Sequence, residues 1–543
     1  MRAIKETPGT LLIMALDNFS ATQIIRKPGV QSEHGVVASQ HIGAARVGAA
    51  ILAKGGNAVD AAIATSLALG VVEPWMSGLA AGGCMMVWHA QKKRCQVVNF
   101  GMRAPDSLNP ADYPLSGQGV ANDLFPWPHV VNDRNVSGAT AVAVPGLVAG
   151  LGLAHSTFGS KDWAELVTPA VNLASQGMLT DWYSALMTGA NAKYLSTDPD
   201  TANYFLDEGK WPIVSGWTAV EQRRLNQSAL AATLALLRDD GPTAFYTGRI
   251  AKQLTDDVQR KGGCLSMSDL AAYEAEIVEP TQWSDRWGTL YAAPALTGGP
   301  TLVRAMSLLS DDAFNETQPG AQAYASIARA LTQAFDERLS SMGDHESPKA
   351  PGCTTHFSVV DREGNICSVT QTLLSIFGSR VTSPSTGLLL NNGIMWFDPE
   401  PGKPNSLAPG KRCLTNYSPV IGTTIDGKPF GLGASGGRKI LGTVMQLSLF
   451  LMRHGMSLPE AFHQPRIDIN GGKQILADLA LPDDVVTALQ TVMPTSRARR
   501  HVYPYAYACP AGVMRTESTN SGCTEIYSPW GDAVAADSQP DIQ

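Results

Sequence analysis

The sequence predicts a layered α/β/β/α arrangement, and three observations carry that expectation. Small and apolar residues recur at helical spacing early in the chain, over Ile42–Leu52 and again from Asn57 to about Leu69. Alternating β-branched runs dominate from Thr354 onward, beginning with Thr354–Val360 and Ile366–Thr372. Strand patterns at Met85–Trp88 and Cys95–Phe100 come from the first half, so both halves supply the sheets that the helices cover.

Taken in order, the chain opens with a positive start and six apolar residues, Leu11 to Leu16, before Asp17. That run is shorter than a secretory core and has no small-residue cleavage pattern after it. No apolar stretch reaches membrane-spanning length. A soluble, cytoplasmic protein is expected. The net charge of −7 and the lack of a basic block argue against nucleic acid or a membrane surface as a partner. Eight scattered cysteines without a C-x-x-C pair read as reduced thiols. Ten histidines show no H-E-x-x-H or H-x-H spacing. Neither a metal nor another cofactor is expected.

The first helix stops at Gly55-Gly56, and Asn57 with Asp60 three residues later forms an N-cap signature for the second. Glu73-Pro74 ends that helix. A glycine-rich segment, Gly78–Gly83, leads into the two early strands and then to Arg103, which is either a surface charge or a cleft residue placed to hold a carboxylate. Pro110–Asn135, rich in Pro, Asp and Asn, reads as an irregular excursion. Helical patterns resume at Pro145–His155, Trp163–Ser175, Gln222–Arg238, Gly248–Lys261 and Gln322–Ser340, with one strand over Thr281–Pro294. No repeat or low-complexity linker separates a domain. After a short polar segment the chain reaches Cys353 and turns to strands: the hairpin, then Gly387–Leu390, Tyr417–Ile421 and Pro429–Leu432. Helices at Lys439–His454 and Leu458–His463 follow.

The hairpin sets the functional question. A loop of Arg362-Glu363-Gly364, with Gly364 in the left-handed conformation, makes Val360 face Ile366 and, counting outward, Thr354 face Thr372. The bland reading is that threonine is a good strand residue. The sharper one is that cleavage after Cys353 makes Thr354 a chain terminus, with a hydroxyl nucleophile and an α-amine whose near-neutral pKa suits it as a base. Cys353 itself is a weaker candidate, because it would face Leu373, which has no hydroxyl.

Downstream, one glycine-rich run fits three patterns. Gly431-x-Gly433-x-x-Gly436 fits a dinucleotide fingerprint, but the flanking strands read as a hairpin and the parallel βαβ context is missing. Gly433-x-Ser435-x-Gly437 fits a nucleophile elbow, with Asp468 and His501 in the required order, and lacks the same parallel sheet. The third reading makes the backbone N–H groups of Gly436 and Gly437 an oxyanion hole beside a helix N-terminus.

These segments together resemble the γ-glutamyltransferase family of N-terminal-nucleophile (Ntn) hydrolases. The match is dispersed: GGNAVDAAIAT at Gly55, VVEP at Val71, FYTGRIA at Phe245, GGCLSMSDLAAYEA at Gly262, TTHFSVVDREGN at Thr354, GLLLNN at Gly387 and SGG at Ser435. The resemblance implies a four-layer αββα sandwich and self-cleavage before Thr354. It also implies that a large chain, 1–353, and a small chain, 354–543, stay associated, with a dimer of such heterodimers as a further expectation. It gives Thr354 as nucleophile, Thr372 as the hydroxyl that orients it, and Gly436 and Gly437 as the oxyanion hole. Thr415 and Asn416 take the place of the serines that hold the glutamyl carboxylate.

The sequence departs from the family where the glutamyl amino group is held. The positions of an asparagine, a glutamine and an acid read Leu374, Gly393 and Trp396, and an ammonium buried there would lack an acceptor. The carboxylate-binding arginine is shifted, with Gly101 in its place and Arg103 two residues on. Arg103, Thr415, Asn416 and Trp396 are therefore the expected substrate-binding residues. The resemblance to atypical members implies an amidohydrolase for a small amide that has a carboxylate and no ammonium, such as oxamate of purine catabolism, which would yield oxalate and ammonia. A γ-glutamyl transferase or hydrolase and a β-lactam side-chain acylase are the alternatives with the same machinery. Outside it stand a serine hydrolase using Ser435 and an unprocessed scaffold.

Overall fold

The computed structural model describes residues 25–120, 127–215, 222–342, 354–501, 503 and 505–538. The run Leu11–Leu16, Cys353 and part of the Pro110–Asn135 excursion lie outside the described residues.

The strands that matter are β1 (Val30–Ser32), β2 (Gly35–Ser39), β3 (Gly82–His89), β4 (Arg94–Phe100), β5 (Glu276–Val278), β6 (Thr281–Asp285), β7 (Gly288–Ala292), β8 (Thr355–Asp361), β9 (Ile366–Thr372), β10 (Val420–Thr424), β11 (Pro429–Ser435), β12 (Cys509–Thr516), β13 (Thr519–Thr524) and β14 (Asp532–Ala535). They form two seven-stranded sheets, ordered β5-β4-β3-β9-β8-β2-β14 and β1-β13-β12-β11-β10-β7-β6. Every neighbouring pair in them is antiparallel.

The period-2 alternation of a strand assigns each buried side chain to one of three apolar layers. Phe357 and Val359 of β8 and Val369 of β9 pack outward against helices α1 (Ile42–Ala53) and α2 (Ala58–Val72). Val360 and Ile366 point the other way and meet Ile421, Ala511 and Val513 of the second sheet. Phe430 and Leu432 of β11 pack on that sheet's far side, against residues Ile440 to Met452 and Ala323 to Phe335. Helix, sheet, sheet, helix is the four-layer αββα sandwich.

The hairpin has the register that its turn residues require. Val360 pairs with Ile366 and Thr355 with Gln371, while Gly364 takes φ +83° and its amide donates to the Asp361 carbonyl. The N-cap at Asn57 is a complete capping box with Asp60. Elsewhere the sequence reading needs correction. Thr281–Pro294 is two strands, β6 and β7, turned at Arg286-Trp287, because Asp285 accepts the Trp287 amide and closes the turn. The helix expected from Gln222 starts at Ser228. A helix over Trp182–Leu195 was not expected; a capping box between Asp181 and Ser184 opens it. Among the described residues no helix is long and apolar enough to cross a membrane.

Candidate active site

The site is built from two chain segments that end side by side. The first is the open end of the β8–β9 hairpin. Thr372 is the last residue of β9, and the register carries Thr354, just before β8, to the position opposite it. Inner and outer faces alternate here, so Thr372 shares the inter-sheet face with Ser368, whose hydroxyl donates to the Leu432 carbonyl of the other sheet at 2.9 Å. Thr355 falls on the outer, helix-side face. The Thr372 hydroxyl accepts from the amide of Leu374 at 2.8 Å, and Leu374 has φ +89°, a conformation that costs a non-glycine residue about 1–3 kcal/mol.

The second segment joins β11 to helix α3 (Lys439–Met452). Gly436 and Gly437 have φ of +131° and +61°, and a Cβ on Gly436 would stand 3.0 Å from the Ala508 Cα. Glycine is needed there for the turn and for the close approach. The turn leads straight into the N-terminus of α3, where the peptide dipoles favour negative charge.

Thr354 and Gly436 line one cleft of about 510 Å³. Gln40, Glu73, Tyr183, Met187, Ser435, Arg438, Lys439, Tyr505 and Trp530 also line it. Burial raises the Glu73 carboxyl to about 8, an influence larger than the opposing one that the Thr355 hydroxyl has when it donates to the carboxyl. The Lys439 ammonium donates to the Tyr505 carbonyl at 2.7 Å, and the Tyr183 and Tyr505 hydroxyls are 2.9 Å apart. Lys439 and Arg438 give this cleft cationic groups.

The four residues expected to bind substrate are not among those that line this cleft. Arg103 donates from Nε to the Gly410 carbonyl at 3.0 Å and lies 3.6 Å from Asp106. Thr415 donates to the Leu296 carbonyl at 3.0 Å. Asn416 accepts from Arg338 at 3.3 Å, and its Nδ2 is buried with no acceptor among the described residues. Trp396 is buried with its ring edge-on to Tyr417, in the same apolar layer as Leu374 and Met102. Leu374 and Trp396 thus belong to a packed core. The sequence reading missed Glu73, Gln40, Tyr183 and Trp530. An acid between an apolar helix and a proline, and an Asp181/Ser184 capping pattern, were the available signals.

The serine-hydrolase pattern lacks the parallel sheet that its nucleophile elbow needs. The Ser435 hydroxyl accepts from Gln40 at 2.7 Å, the buried Asp468 accepts from Asn470, and β11 lies between antiparallel neighbours. The same antiparallel setting excludes the βαβ frame of the dinucleotide fingerprint. Among the described residues no group of three or more His, Cys, Asp or Glu could hold a metal ion.

The family model described as Gamma-glutamyltranspeptidase matches residues 44–353 and 348–525. The glutathione hydrolase proenzyme of Bacillus subtilis (strain 168) is 32% identical, covering 84% of this chain and 84% of that protein. The acylase ACY 1 proenzyme of Pseudomonas sp. (strain SE83) is also 32% identical, covering 86% of this chain and 87% of that protein. A crystal structure of a cephalosporin acylase from Bacillus halodurans superposes with a TM-score of 0.81 at 25% identity, over 95% of this chain and 98% of the other.

Proposed function

The chain belongs to the gamma-glutamyltranspeptidase family, and from that premise we propose that it is a self-processing amidohydrolase whose nucleophile is Thr354. Cleavage of the Cys353–Thr354 bond gives chains 1–353 and 354–543 and frees the α-amine of Thr354. That amine takes the hydroxyl proton as Oγ attacks the substrate's amide carbon, and the amide N–H groups of Gly436 and Gly437 receive the developing oxyanion. The proton passes to the departing nitrogen as the C–N bond breaks. Water then hydrolyses the Thr354 ester, releasing the acid and restoring the hydroxyl. Thr372 orients the nucleophile. The observation that carries this reading is that Thr354 and Gly436, far apart in sequence, line one cleft at the start of a helix.

For the substrate, the cleft supports an amide with a carboxylate, no ammonium, and a bulky acyl or amine part. Its volume lies within the roughly 300–1,000 Å³ range of sites that take drug-sized ligands. Arg438 and Lys439 suit an anion, and among the described residues the carboxyl that lines it, Glu73, is raised to about 8 by burial and so is mostly neutral near pH 7. Oxamate would fill little of this space. It remains the second reading because the Asn416 Nδ2 is a buried donor with no acceptor among the described residues, which a small carboxylate would satisfy. Turnover of oxamate, glutathione and a glutaryl amide, each followed by product release, tests both. Glutaryl amide alone as substrate supports the first, oxamate alone the second, and glutathione alone refutes both.

A further inference from the structure

Neither the sequence motifs nor the acyl-transfer scheme uses Glu73, a buried acid of this cleft. It is the C-cap residue of α2, 4% exposed, and it shares the cleft with Thr354. Its Oε2 is 3.1 Å from the hydroxyl of Thr355, the next residue after the nucleophile. That hydroxyl is also 3.3 Å from Gln40 Oε1.

The protons in this buried chain can be counted. The Gln40 amide lies 2.6 Å from the Cys509 carbonyl, which can only accept, so the group facing it is the Nε2 donor and the Oε1 acceptor faces Thr355. Thr355 has one hydroxyl proton. Given to Gln40 Oε1, it leaves Thr355 able only to accept from Glu73, and the Glu73 carboxyl must be the donor. Both contacts are satisfied when Glu73 is protonated; with a carboxylate, one acceptor goes without a proton.

We propose that Glu73 is a positioning residue that carries its proton at neutral pH, held in that form by Gln40 and Thr355, so that no carboxylate stands beside the α-amine that cleavage gives Thr354. An anion there would pair with the ammonium form of the amine and hold the proton that the amine has to give up before it can act as a base. Burial, which raises Glu73 to about 8, acts in the same direction; a Thr355 hydroxyl that donated to Glu73 would act against it, and the proton count reverses that donor. The titratable groups coupled to Glu73 are Tyr183, Tyr505 and Cys509, and each is raised by burial, so none of them ionises before it. Arg438 and Lys439 line the same cleft. The inference rests on the assignment of Thr354 given above.

Two measurements test it. The pH profile of the processed enzyme should fall on the alkaline side as Glu73 ionises. Glu73→Gln should process, lose several-fold at neutral pH, and lose the alkaline fall, while Thr355→Val should move that fall to lower pH. A Glu73→Gln enzyme that is processed but inactive at every pH, or that keeps the alkaline fall, overturns the proposal. Infrared titration of the uncleaved Thr354→Ala protein reads Glu73 without depending on activity. A carboxylic acid carbonyl band present at neutral pH, lost on alkalinisation and absent from the Thr354→Ala/Glu73→Gln protein is expected. Its absence overturns the proposal and leaves Thr354 standing; a Thr354→Ala chain that still cleaves removes Thr354 and leaves the protonation of Glu73 intact.

Discussion

The open end of the β8–β9 hairpin has two surroundings of opposite character. One is the cleft, with Glu73, Tyr183, Arg438 and Lys439 around Thr354 and Gly436. The other, reached from Thr372 through Leu374, is the apolar layer of Leu374, Trp396, Tyr417 and Met102 between the sheets. The first is open, with aromatic, apolar and charged walls, and the second is filled. On the proposed assignment of Thr354, the contrast teaches how packing one side of a nucleophile and opening the other would set what the site binds.

The contrast can be broken most severely at its shared centre. Thr354→Ala should abolish both self-cleavage and hydrolysis, read as a single uncleaved chain without activity. On the cleft side, Gly436→Ala forces a side chain into a positive φ and against the Ala508 backbone. A displacement of its amide by a fraction of an ångström should cost about 10²-fold in kcat. On the filled side, Leu374→Asn places an amide among apolar groups. It should lower stability by about 1–3 kcal/mol, seen in denaturant melts, without creating glutathione turnover. Smallest is Arg103→Ala: its contacts with Gly410 and Asp106 make it a loop tie, so kcat/KM should change by less than about threefold, against tenfold or more for a residue that grips a carboxylate.

Stability should also sense Glu73. Its folded pKa of about 8 lies above its ordinary value, so its contribution is fully present below the unfolded carboxyl's pKa and is lost as pH rises toward 8. Melts of the uncleaved Thr354→Ala protein from pH 5 to 8 should show this decline, and adding Glu73→Gln should flatten it.

The parts legible in the sequence were those fixed by local rules. Gly364 dictates the hairpin turn, and period-2 counting from it places Thr354 opposite Thr372. Asn57 and Asp60 announce their helix, and the glycines after Ser435 announce a tight turn before α3. The cleft was not legible, because its walls come from the Trp182–Leu195 helix and the segment around Tyr505, which meet only in three dimensions. Glu73 looked like a helix end because burial, not spacing, gives it its chemistry. Arg103, Thr415, Asn416 and Trp396 were placed by their position in a motif, and position in a motif carries no information on which way a wall is packed.

The most direct test of the account is the covalent state of the purified protein. Intact mass and N-terminal sequencing should find two chains, the smaller beginning Thr354-Thr355-His356, and the Thr354→Ala protein should remain one chain. A wild-type protein that is fully active as a single uncleaved chain would contradict it.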